Sequence, residues 1–345
     1  MPRAGHEHLR GGIREAEASF AGRSTPAPML LHVLALVGGL ALLLVAATVL
    51  VRGAAALALR FGLSPLVVGL TVVAFGTSAP ELVVSVQAAL AGAGGIAVGN
   101  VVGSNIANVG LILALAVLVR PIATDPSLLR RDLPVLVGAT LVAALFLLDG
   151  VLARWEAGVL LAGLAASLAW SLSSAKAQPA TDAPADALAD DLPEPGPLWR
   201  DALFVLGGLA GLALGADWLV GGATALAEAA RVSDAVIGLT VVAVGTSLPE
   251  LATSVVASRR DEGAIAAGNV VGSNLFNLLG ILGVGGLVRP LAAPGLELAD
   301  VVVMGAFTLA MVPMMLTGLR LVRLEAGALL FAYGAYTAYL VLQHT

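Results

Sequence analysis

GLTVVAFGTSAPELVVS (69–85) and GNVVGSNIAN (99–108) recur later in the chain as GLTVVAVGTSLPELATS (238–254) and GNVVGSNLFN (268–277). The offset is constant, because 238 − 69 and 277 − 108 both equal 169. Each copy places one glutamate directly after a proline. The chain is therefore expected to consist of two related halves, each of which contributes one acidic side chain to a common site.

The composition is that of a membrane protein. The 345 residues are 59% hydrophobic and 12% charged, whereas soluble domains are about 25% charged. Apolar runs of roughly 20 residues, each long enough to cross a bilayer as a helix, recur along the chain. The absence of cysteine excludes disulfides and thiolate metal sites, and the net charge of −5 argues against nucleic acid as a partner. The ten predicted spans are 30–51, 65–89, 95–118, 133–149, 152–173, 198–222, 233–257, 263–288, 299–317 and 324–342.

These spans predict an all-α integral membrane protein in four parts. Residues 1–28 are expected to be a disordered tail, although translation starting at Met29 is an alternative. Residues 29–173 form the first five-helix repeat, and residues 198–345 form the second. Residues 174–197, rich in Asp, Ala and Pro, form a flexible acidic linker between them. Because each half has an odd number of spans, the second half enters the membrane from the opposite side, and the two repeats are inverted.

The arginine and lysine distribution predicts the orientation of the ten helices. If the first span starts outside, the cytoplasmic segments, including the linker, hold eleven basic residues against three outside, leaving aside the arginines of the tail. The cytoplasmic set is Arg52, Arg60, Arg120, Arg130, Arg131, Lys176, Arg200, Arg259, Arg260, Arg320 and Arg323, and the outer set is Arg154, Arg231 and Arg289.

Glu81 and Glu250 lie inside predicted spans, where an ionised carboxylate costs about 3 kcal/mol on insertion scales. The second, third, seventh and eighth spans contain no Lys, Arg or His that could pair with them. The remaining source of positive charge is a bound cation. Two carboxylates supply a charge of −2, which matches one divalent ion.

The turn before each glutamate adds oxygen ligands. Pro80 has no N–H, so the carbonyl of Gly76 loses its helical partner, and Pro249 has the same effect on Gly245. A broken helix is expected at both places, and unwound backbone at membrane depth is tolerated where it lines a cavity. The hydroxyl residues that share a turn with the glutamates are Thr77, Ser78, Thr246 and Ser247.

Polar residues also recur every fourth position in the second part of each motif, which places them on one stripe of a helix. The expected site therefore offers carboxylate, hydroxyl, amide and carbonyl oxygens, a set that suits Ca²⁺, Na⁺ or Mg²⁺. The alternative reading is that single Ser, Asn and Gly residues only join helices. Asp217 has no acidic counterpart, since Thr48 stands at the equivalent position, and an interfacial or structural role near the outer end of the sixth span is favoured. The two stripes are Asn100, Ser104 and Asn108, and Asn269, Ser273 and Asn277.

The paired motifs GTSAPEL…GNVVGSNIAN and GTSLPEL…GNVVGSNLFN resemble the α-repeats of the sodium/calcium exchanger family, of prokaryotic type, within the cation/calcium antiporter superfamily. The resemblance implies an antiporter of two inverted five-helix repeats that exchanges Na⁺ for Ca²⁺ by alternating access. It implies no cofactor, with Ca²⁺ and Na⁺ as transported substrates. It also implies a multi-pass protein of the cell membrane, in a prokaryotic plasma membrane, that contacts the lipid bilayer and functions as a monomer.

The resemblance also implies roles for individual residues. Glu81 and Glu250 resemble central Ca²⁺ ligands, assisted by the carbonyls of Thr77 and Thr246. Asn108 resembles a central polar residue. Many members have Asp where this chain has Asn277, and that Asp is tied to K⁺ use in the potassium-dependent branch, so K⁺ independence is expected here. The residues that resemble Na⁺ ligands are Ser78, Ser104, Ser247 and Ser273, with the carbonyls of Ala74 and Ala243.

Three other functions are compared with Na⁺/Ca²⁺ exchange on features of the sequence. An H⁺-coupled antiporter of Ca²⁺ or another divalent cation is the main alternative, although that branch carries Glu soon after Gly-Asn, where this chain reads GNVVGSN. A passive channel is a third possibility that no sequence feature excludes. An enzyme is not expected, because the chain shows no nucleophile and base pair, phosphate loop or HExxH motif.

Overall fold

A computed structural model describes residues 29–177, 197–229, 243–293 and 296–343. The predicted tail, most of the predicted linker and the first part of the predicted seventh span lie outside these ranges. In the described ranges the chain is almost entirely helical. The helices are α1 (Met29–Phe61), α2 (Pro65–Val68, Gly69–Val73 and Ala74–Thr77 in succession), α3 (Ala79–Leu90), α4 (Gly94–Val119), α5 (Leu128–Asp132 followed by Leu133–Leu147), α6 (Arg154–Ala177), α7 (Leu198–Ala229), α8 (Ala243–Thr246), α9 (Leu248–Arg259), α10 (Gly263–Val288), α11 (Leu298–Leu316) and α12 (Arg323–Gln343).

Length and hydropathy identify a multi-pass membrane protein. Five of the described helices are long and apolar enough to cross a bilayer, and a sixth span results if the bent pair α2 and α3 is counted as one. The five single spans are Met29–Phe61, Gly94–Val119, Leu198–Ala223, Gly263–Val288 and Leu298–Leu319. The predicted all-helical membrane fold is thus confirmed.

The first helix is longer than predicted. The sequence predicts that it ends at residue 51, but α1 continues to Phe61. Gly53 does not interrupt it because this glycine packs against α7, where an added Cβ would lie 2.9 Å from the backbone nitrogen of Val205. The helix ends before Gly62, whose φ of +60° is a left-handed conformation that terminates helices.

The helix that contains the sixth predicted span is longer than the span itself. Helix α7 continues to Ala229, so Asp217 lies twelve residues before its end (229 − 217 = 12) and is exposed. The apolar span itself ends at Ala223, six residues after Asp217, so the expected position near the outer end of the sixth span stays a prediction. The helix continues beyond this span through Gly222, which packs closely on His32 of α1.

Helices α1 and α7 pack closely and run antiparallel. Gly39, early in α1, faces Leu219, late in α7, with an added Cβ only 2.5 Å from the Leu219 nitrogen. At the opposite end, Arg60 of α1 contacts Asp201 of α7 at 3.2 Å. Glycines on both helices bring the two backbones together, which is typical of helix pairs in membranes.

Two short strand pairs join the halves of the chain. Strand β1 (Ile122–Ala123) pairs with β4 (Arg320–Leu321), and β2 (Val151–Leu152) pairs with β3 (Leu291–Ala292), both antiparallel. The motif offset relates the two ladders, because 291 − 122 and 320 − 151 both equal 169. Exchanging the halves therefore converts one ladder into the other, as a pseudo-twofold axis requires.

Helix α10 packs against α2 in the interior, and the two run parallel. An added Cβ on Gly268 would lie 2.7 Å from the Leu66 oxygen, and one on Gly272 would lie 2.5 Å from the Leu70 oxygen. These two glycines thus allow the backbones of α2 and α10 to approach closely. The equivalent Gly99 and Gly103 on α4 have no described atom within 4 Å of an added Cβ.

Candidate functional site

The break between α2 and α3 creates the first half of the site. Helix α2 ends at Thr77 and α3 begins at Ala79, with a bend of 47° between the two axes. Ser78 at the break has φ −84° and ψ 8°, and its equivalent Ser247 has φ −91° and ψ 8°. The predicted breaks are confirmed in both halves. Each arises because a proline occupies the first turn of the following helix, where its missing N–H is tolerated.

The two glutamates lie together in the interior. Glu81 and Glu250 are each only 1% exposed. Ser247 donates a hydrogen bond to Oε1 of Glu81 at 3.2 Å, and Ser78 donates one to Oε1 of Glu250 at 2.8 Å. Each serine thus binds the carboxylate of the other half. The sequence identified all four residues, and the structure brings them together from the two halves of the chain.

Asn100 and Asn269 position the helices that carry the carboxylates. The Nδ2 group of Asn100 donates to the Glu81 backbone oxygen at 3.2 Å and to Ser85 Oγ at 2.9 Å. Asn269 repeats both bonds, to the Glu250 oxygen at 3.4 Å and to Ser254 Oγ at 3.0 Å. Their amide nitrogens therefore hold α3 and α9 in place.

Sequence reasoning missed the two serines in this network. Ser85 and Ser254 each follow a glutamate by four residues, which places them one helical turn further along the same face. This spacing in the sequence could have identified both serines as neighbours of the glutamates. A third bond, from Thr77 Oγ1 to Asn269 Oδ1 at 3.2 Å, links α2 directly to α10.

A second group of amides lies where α4 meets α10. Asn108 Nδ2 donates to Asn274 Oδ1 at 2.9 Å, and both side chains are buried. A π-helical turn begins at Asn108 and a second includes Asn277, over Asn108–Leu113 and Phe276–Ile281. Such turns rotate the following residues relative to an α-helix and are frequent at functional sites. Neither the π-helical turns nor the role of Asn274 was predicted.

Six buried oxygens of predicted site residues have no hydrogen-bond partner among the described residues. A buried polar atom without a partner costs about 1–3 kcal/mol, so a group of them in one place requires an explanation. Carboxylate, hydroxyl and amide oxygens are the ligands that hard cations prefer. The six atoms are Glu81 Oε2, Glu250 Oε2, Thr246 Oγ1, Ser273 Oγ, Asn108 Oδ1 and Asn277 Oδ1.

For three other predicted ligands, Ser104, Ala74 and Ala243, the structure gives only burial or position. Ser104 is buried, with 5% exposure. The Ala74 carbonyl accepts the Ser78 N–H at 3.0 Å and the Thr77 hydroxyl at 3.4 Å in the turn before the break, and its role as an ion ligand stays a prediction. Ala243 is the first residue of α8, which places its carbonyl in the turn before the second break.

The charge of the site is uncompensated by side chains. The described parts of α2, α3, α4, α9 and α10 contain one basic residue, Arg259, at the end of α9 far from the break. No group of three or more His, Cys, Asp or Glu residues occurs in the described ranges, so the site differs from a closed transition-metal centre. Two carboxylates and neutral oxygens form a site of negative potential that suits hard cations.

Comparisons with known proteins agree with this chemistry. The sequence profile of the sodium/calcium exchanger protein family matches the chain twice, over residues 31–173 and 201–342. The sodium/calcium exchanger MaX1 of Methanosarcina acetivorans is 33% identical over 278 residues, which cover 71% of this chain and 79% of MaX1. The inner membrane protein YrbG of Escherichia coli is 40% identical over 200 residues, covering 56% of this chain and 61% of YrbG.

A solved structure shares the fold. The sodium-calcium exchanger NCX_Mj, soaked with Na⁺ and Sr²⁺, superposes with a TM-score of 0.79 at 32% identity, covering 90% of this chain and 98% of that one. The family consists of transporters, so the expectation that this protein is not an enzyme is confirmed. From the double profile match and this superposition, we conclude that the chain belongs to the sodium/calcium exchanger family of multi-pass membrane proteins.

Proposed function

We propose that this protein exchanges Na⁺ for Ca²⁺ across the membrane by alternating access and does not require K⁺. The observation that carries the proposal is the crosswise pairing of Ser78 with Glu250 and of Ser247 with Glu81, beside carboxylate oxygens that have no described partner. A divalent cation between the two carboxylates would neutralise the charge of −2 and supply the missing partners. Family membership supports cation/Ca²⁺ antiport as the broader activity.

The proposed ligand roles are those that the resemblance to the exchanger family implies, and the charge of each oxygen is consistent with them. Ca²⁺ is assigned to Glu81 and Glu250, with the carbonyls of Thr77 and Thr246 at the helix breaks. The neutral hydroxyl and carbonyl oxygens suit monovalent ions, because each Na⁺ needs less negative charge. Asn108 and Asn277 are assigned to the centre of the site. The proposed Na⁺ ligands are Ser78, Ser104, Ser247 and Ser273, with the carbonyls of Ala74 and Ala243.

We infer ten transmembrane helices arranged as two inverted five-helix repeats. In such a repeat the first helices of the two halves run antiparallel, as α1 and α7 do. The second helix of one half and the third helix of the other run parallel, as α2 and α10 do. The two strand ladders give further support, because the offset of 169 residues relates each strand of one ladder to a strand of the other. Inverted repeats place the site at their common interface, equally reachable from both membrane faces.

Alternating access is supported by the burial of the site. Both carboxylates are 1% exposed, so an ion between them would be shielded from water in this conformation. Ions must then enter and leave through a conformational change that opens one side at a time. A passive channel would instead need a permanent opening to the site.

Proton coupling is the second candidate. The two carboxylates lie close enough to share one site through the opposing serines, and two protons would neutralise them as one Ca²⁺ would. Uptake of radioactive Ca²⁺ into proteoliposomes under separately imposed Na⁺, K⁺ or H⁺ gradients distinguishes the candidates. Uptake driven by an outward Na⁺ gradient alone is the expected result, and uptake driven only by H⁺ would replace the proposal.

A cysteine introduced at Ala185 should be labelled by a membrane-impermeant reagent only from the cytoplasmic side. Ala185 belongs to the predicted acidic linker, which lies outside the described residues, and the arginine count places this linker inside. The chain has no cysteine of its own, so the unmodified protein is a clean control. Labelling of Ala185→Cys in intact cells would contradict the predicted topology.

Na⁺-dependent Ca²⁺ flux should be unchanged when choline replaces K⁺ on both sides of the membrane. Asn277 and Asn108 are neutral amides, and the loss of one charge at about 4 Å from a cation is worth on the order of 4 kcal/mol at an effective dielectric of 20. A site for an additional monovalent ion would therefore be empty. Asn277→Asp should introduce a dependence of flux on K⁺ or on pH, whereas Asn277→Ala, which adds no charge, should not. A collapse of wild-type flux without K⁺ would show that the interpretation of Asn277 is wrong.

A further inference from the structure

An apolar groove lies between α5 and α11, away from the candidate cation site. Its volume is about 310 Å³, and every residue that lines it is apolar. A smaller pocket of about 10 Å³ continues it along the same two helices. The groove is lined by Leu129, Leu133, Pro134, Val137, Leu309, Val312 and Leu316, and the smaller pocket adds Thr140, Leu141, Gly305 and Thr308.

The groove has the length and exposure expected of a site for an acyl chain. From Leu129 to Leu141 the helix rises over twelve residues, or about 18 Å. One leaflet of the hydrocarbon core is about 15 Å thick. The rims are exposed, with Leu309 at 51% and Leu316 at 58%, so the groove opens outward to the lipid. Gly305 adds room, because no described atom lies within 4 Å of its missing Cβ.

Two arginines stand at one end of the groove. Arg130 lies one helical turn before Pro134, and Arg320 follows the end of α11 at Leu316 by four residues, as the first residue of β4. Both are exposed, and in the described ranges neither guanidinium has an ion pair or a hydrogen bond. Both are therefore available to a ligand.

The neighbouring Arg131 and Arg323, in contrast, both have hydrogen-bond partners within the protein. Arg131 is buried and forms a bidentate pair with Asp132 at 2.8 and 2.9 Å. Arg323 donates to the carbonyls of Leu118 and Val119. Ion pairing and capping of helix ends thus explain these two side chains, but they do not explain Arg130 and Arg320.

The two arginines at this end of the groove are not repeated at the equivalent positions of the other half. At the offset of 169, the equivalents of Arg130 and Arg320 are Ala299 and Val151, since 130 + 169 = 299 and 320 − 169 = 151. The start of α11 at the other end instead carries Glu297 and Asp300, which form a capping box. The pseudo-twofold symmetry is therefore broken by charge at these positions, which favours an anion at the end of the groove that carries Arg130 and Arg320 together.

We propose that this groove binds an anionic phospholipid, with an acyl chain along α5 and α11 and the headgroup phosphate held by Arg130 and Arg320. The apolar walls match the chain, and two guanidinium groups match the phosphate, which arginine can bind through paired hydrogen bonds. A basic residue near the membrane surface strengthens binding of anionic lipid by about fivefold, so the pair corresponds to about 25-fold.

Native mass spectrometry of the purified full chain with added lipid tests the proposal. The wild-type protein should retain one molecule of phosphatidylglycerol in preference to phosphatidylcholine. The variant Arg130→Gln/Arg320→Gln should bind phosphatidylglycerol about 25-fold more weakly. Arg154→Gln is the matched control, because Arg154 is also exposed but lies at the start of α6, near the opposite end of the groove, and it should bind as the wild type does.

A groove-filling variant separates the apolar contribution from the charge. Gly305→Phe should weaken retention of both lipids while leaving the two arginines intact. Equal retention of the two lipids by the wild type, or unchanged binding in Arg130→Gln/Arg320→Gln, would overturn the proposal. The charge variants alter only exposed side chains, so the test stands even if Gly305→Phe fails to fold.

Discussion

Glu81→Gln and Glu250→Gln are each expected to abolish Ca²⁺ transport in proteoliposomes while the protein remains folded and monodisperse. Each substitution keeps the shape of the side chain but removes one of the two negative charges in the site. Both side chains are 1% exposed, so water cannot replace the lost charge. The opposing serine can still donate its hydrogen bond to the amide oxygen, which preserves the local packing.

The expected effect is large. A unit charge at about 4 Å from a cation is worth on the order of 4 kcal/mol at an effective dielectric of 20, and more for a divalent ion. Since 1.4 kcal/mol corresponds to a tenfold change, Ca²⁺ affinity should fall at least about 500-fold. Equilibrium binding of radioactive Ca²⁺ to the purified variants measures this directly.

Asp217→Asn is the matched control for these variants. It neutralises another carboxylate within a helix, but Asp217 is exposed on α7 and makes no described contact with the site. Transport by this variant should remain within about twofold of the wild type, because the Asp217 side chain faces outward from α7 and no described hydrogen bond or ion pair joins it to the site. Normal Ca²⁺ flux through Glu81→Gln or Glu250→Gln would disprove the assignment of the site.

Gly272→Val is expected to reduce transport by more than tenfold and to lower the melting temperature of the protein. The first atom added at Gly272 would lie 2.5 Å from the Leu70 oxygen and 2.7 Å from the Ala74 Cβ. These contacts involve backbone or a short side chain, so the clash can be relieved only by separating α10 from α2. Overpacking of this kind costs typically 1–3 kcal/mol.

Separation of α10 from α2 would also move residues of the candidate cation site. Ala74 lies three residues before Thr77, whose hydroxyl binds Asn269 of α10, and Ser273 directly follows Gly272. Gly334→Val is the control, because Gly334 is exposed within α12 and an added Cβ there meets no described atom. It introduces the same β-branched residue into a helix without the clash. Wild-type melting temperature and flux in Gly272→Val would show that α2 and α10 are not held in contact during transport.

Local chemistry along the chain was sufficient to predict the helix breaks and the composition of the site. A proline removes one backbone donor wherever it stands in a helix, so Pro80 and Pro249 were sufficient to predict the breaks at Ser78 and Ser247. The constant offset and the excess of apolar residues likewise indicated two related membrane-embedded halves. These inferences involve residues a few positions apart or the pattern as a whole.

Helix lengths were less predictable, because they depend on packing partners. Gly53 suggests the end of a helix when considered alone, but in the structure it allows α1 to approach α7 and the helix continues to Phe61. The same effect carries α7 past Gly222 to Ala229 and leaves Asp217 inside the helix. Whether a glycine ends a helix or permits close contact depends on what faces it.

The roles within each polar stripe were decided only by the tertiary structure. Asn100 and Asn108 lie on the same face of one helix and look equivalent in the sequence, yet Asn100 holds the Glu81 carbonyl while Asn108 reaches Asn274 of the other half. The crosswise serine and glutamate pairs are of the same kind, joining residues 172 and 166 positions apart. A repeat reveals which residues are equivalent, but only the relative placement of the two halves decides which atoms face one another, because that placement results from the packing of whole helices.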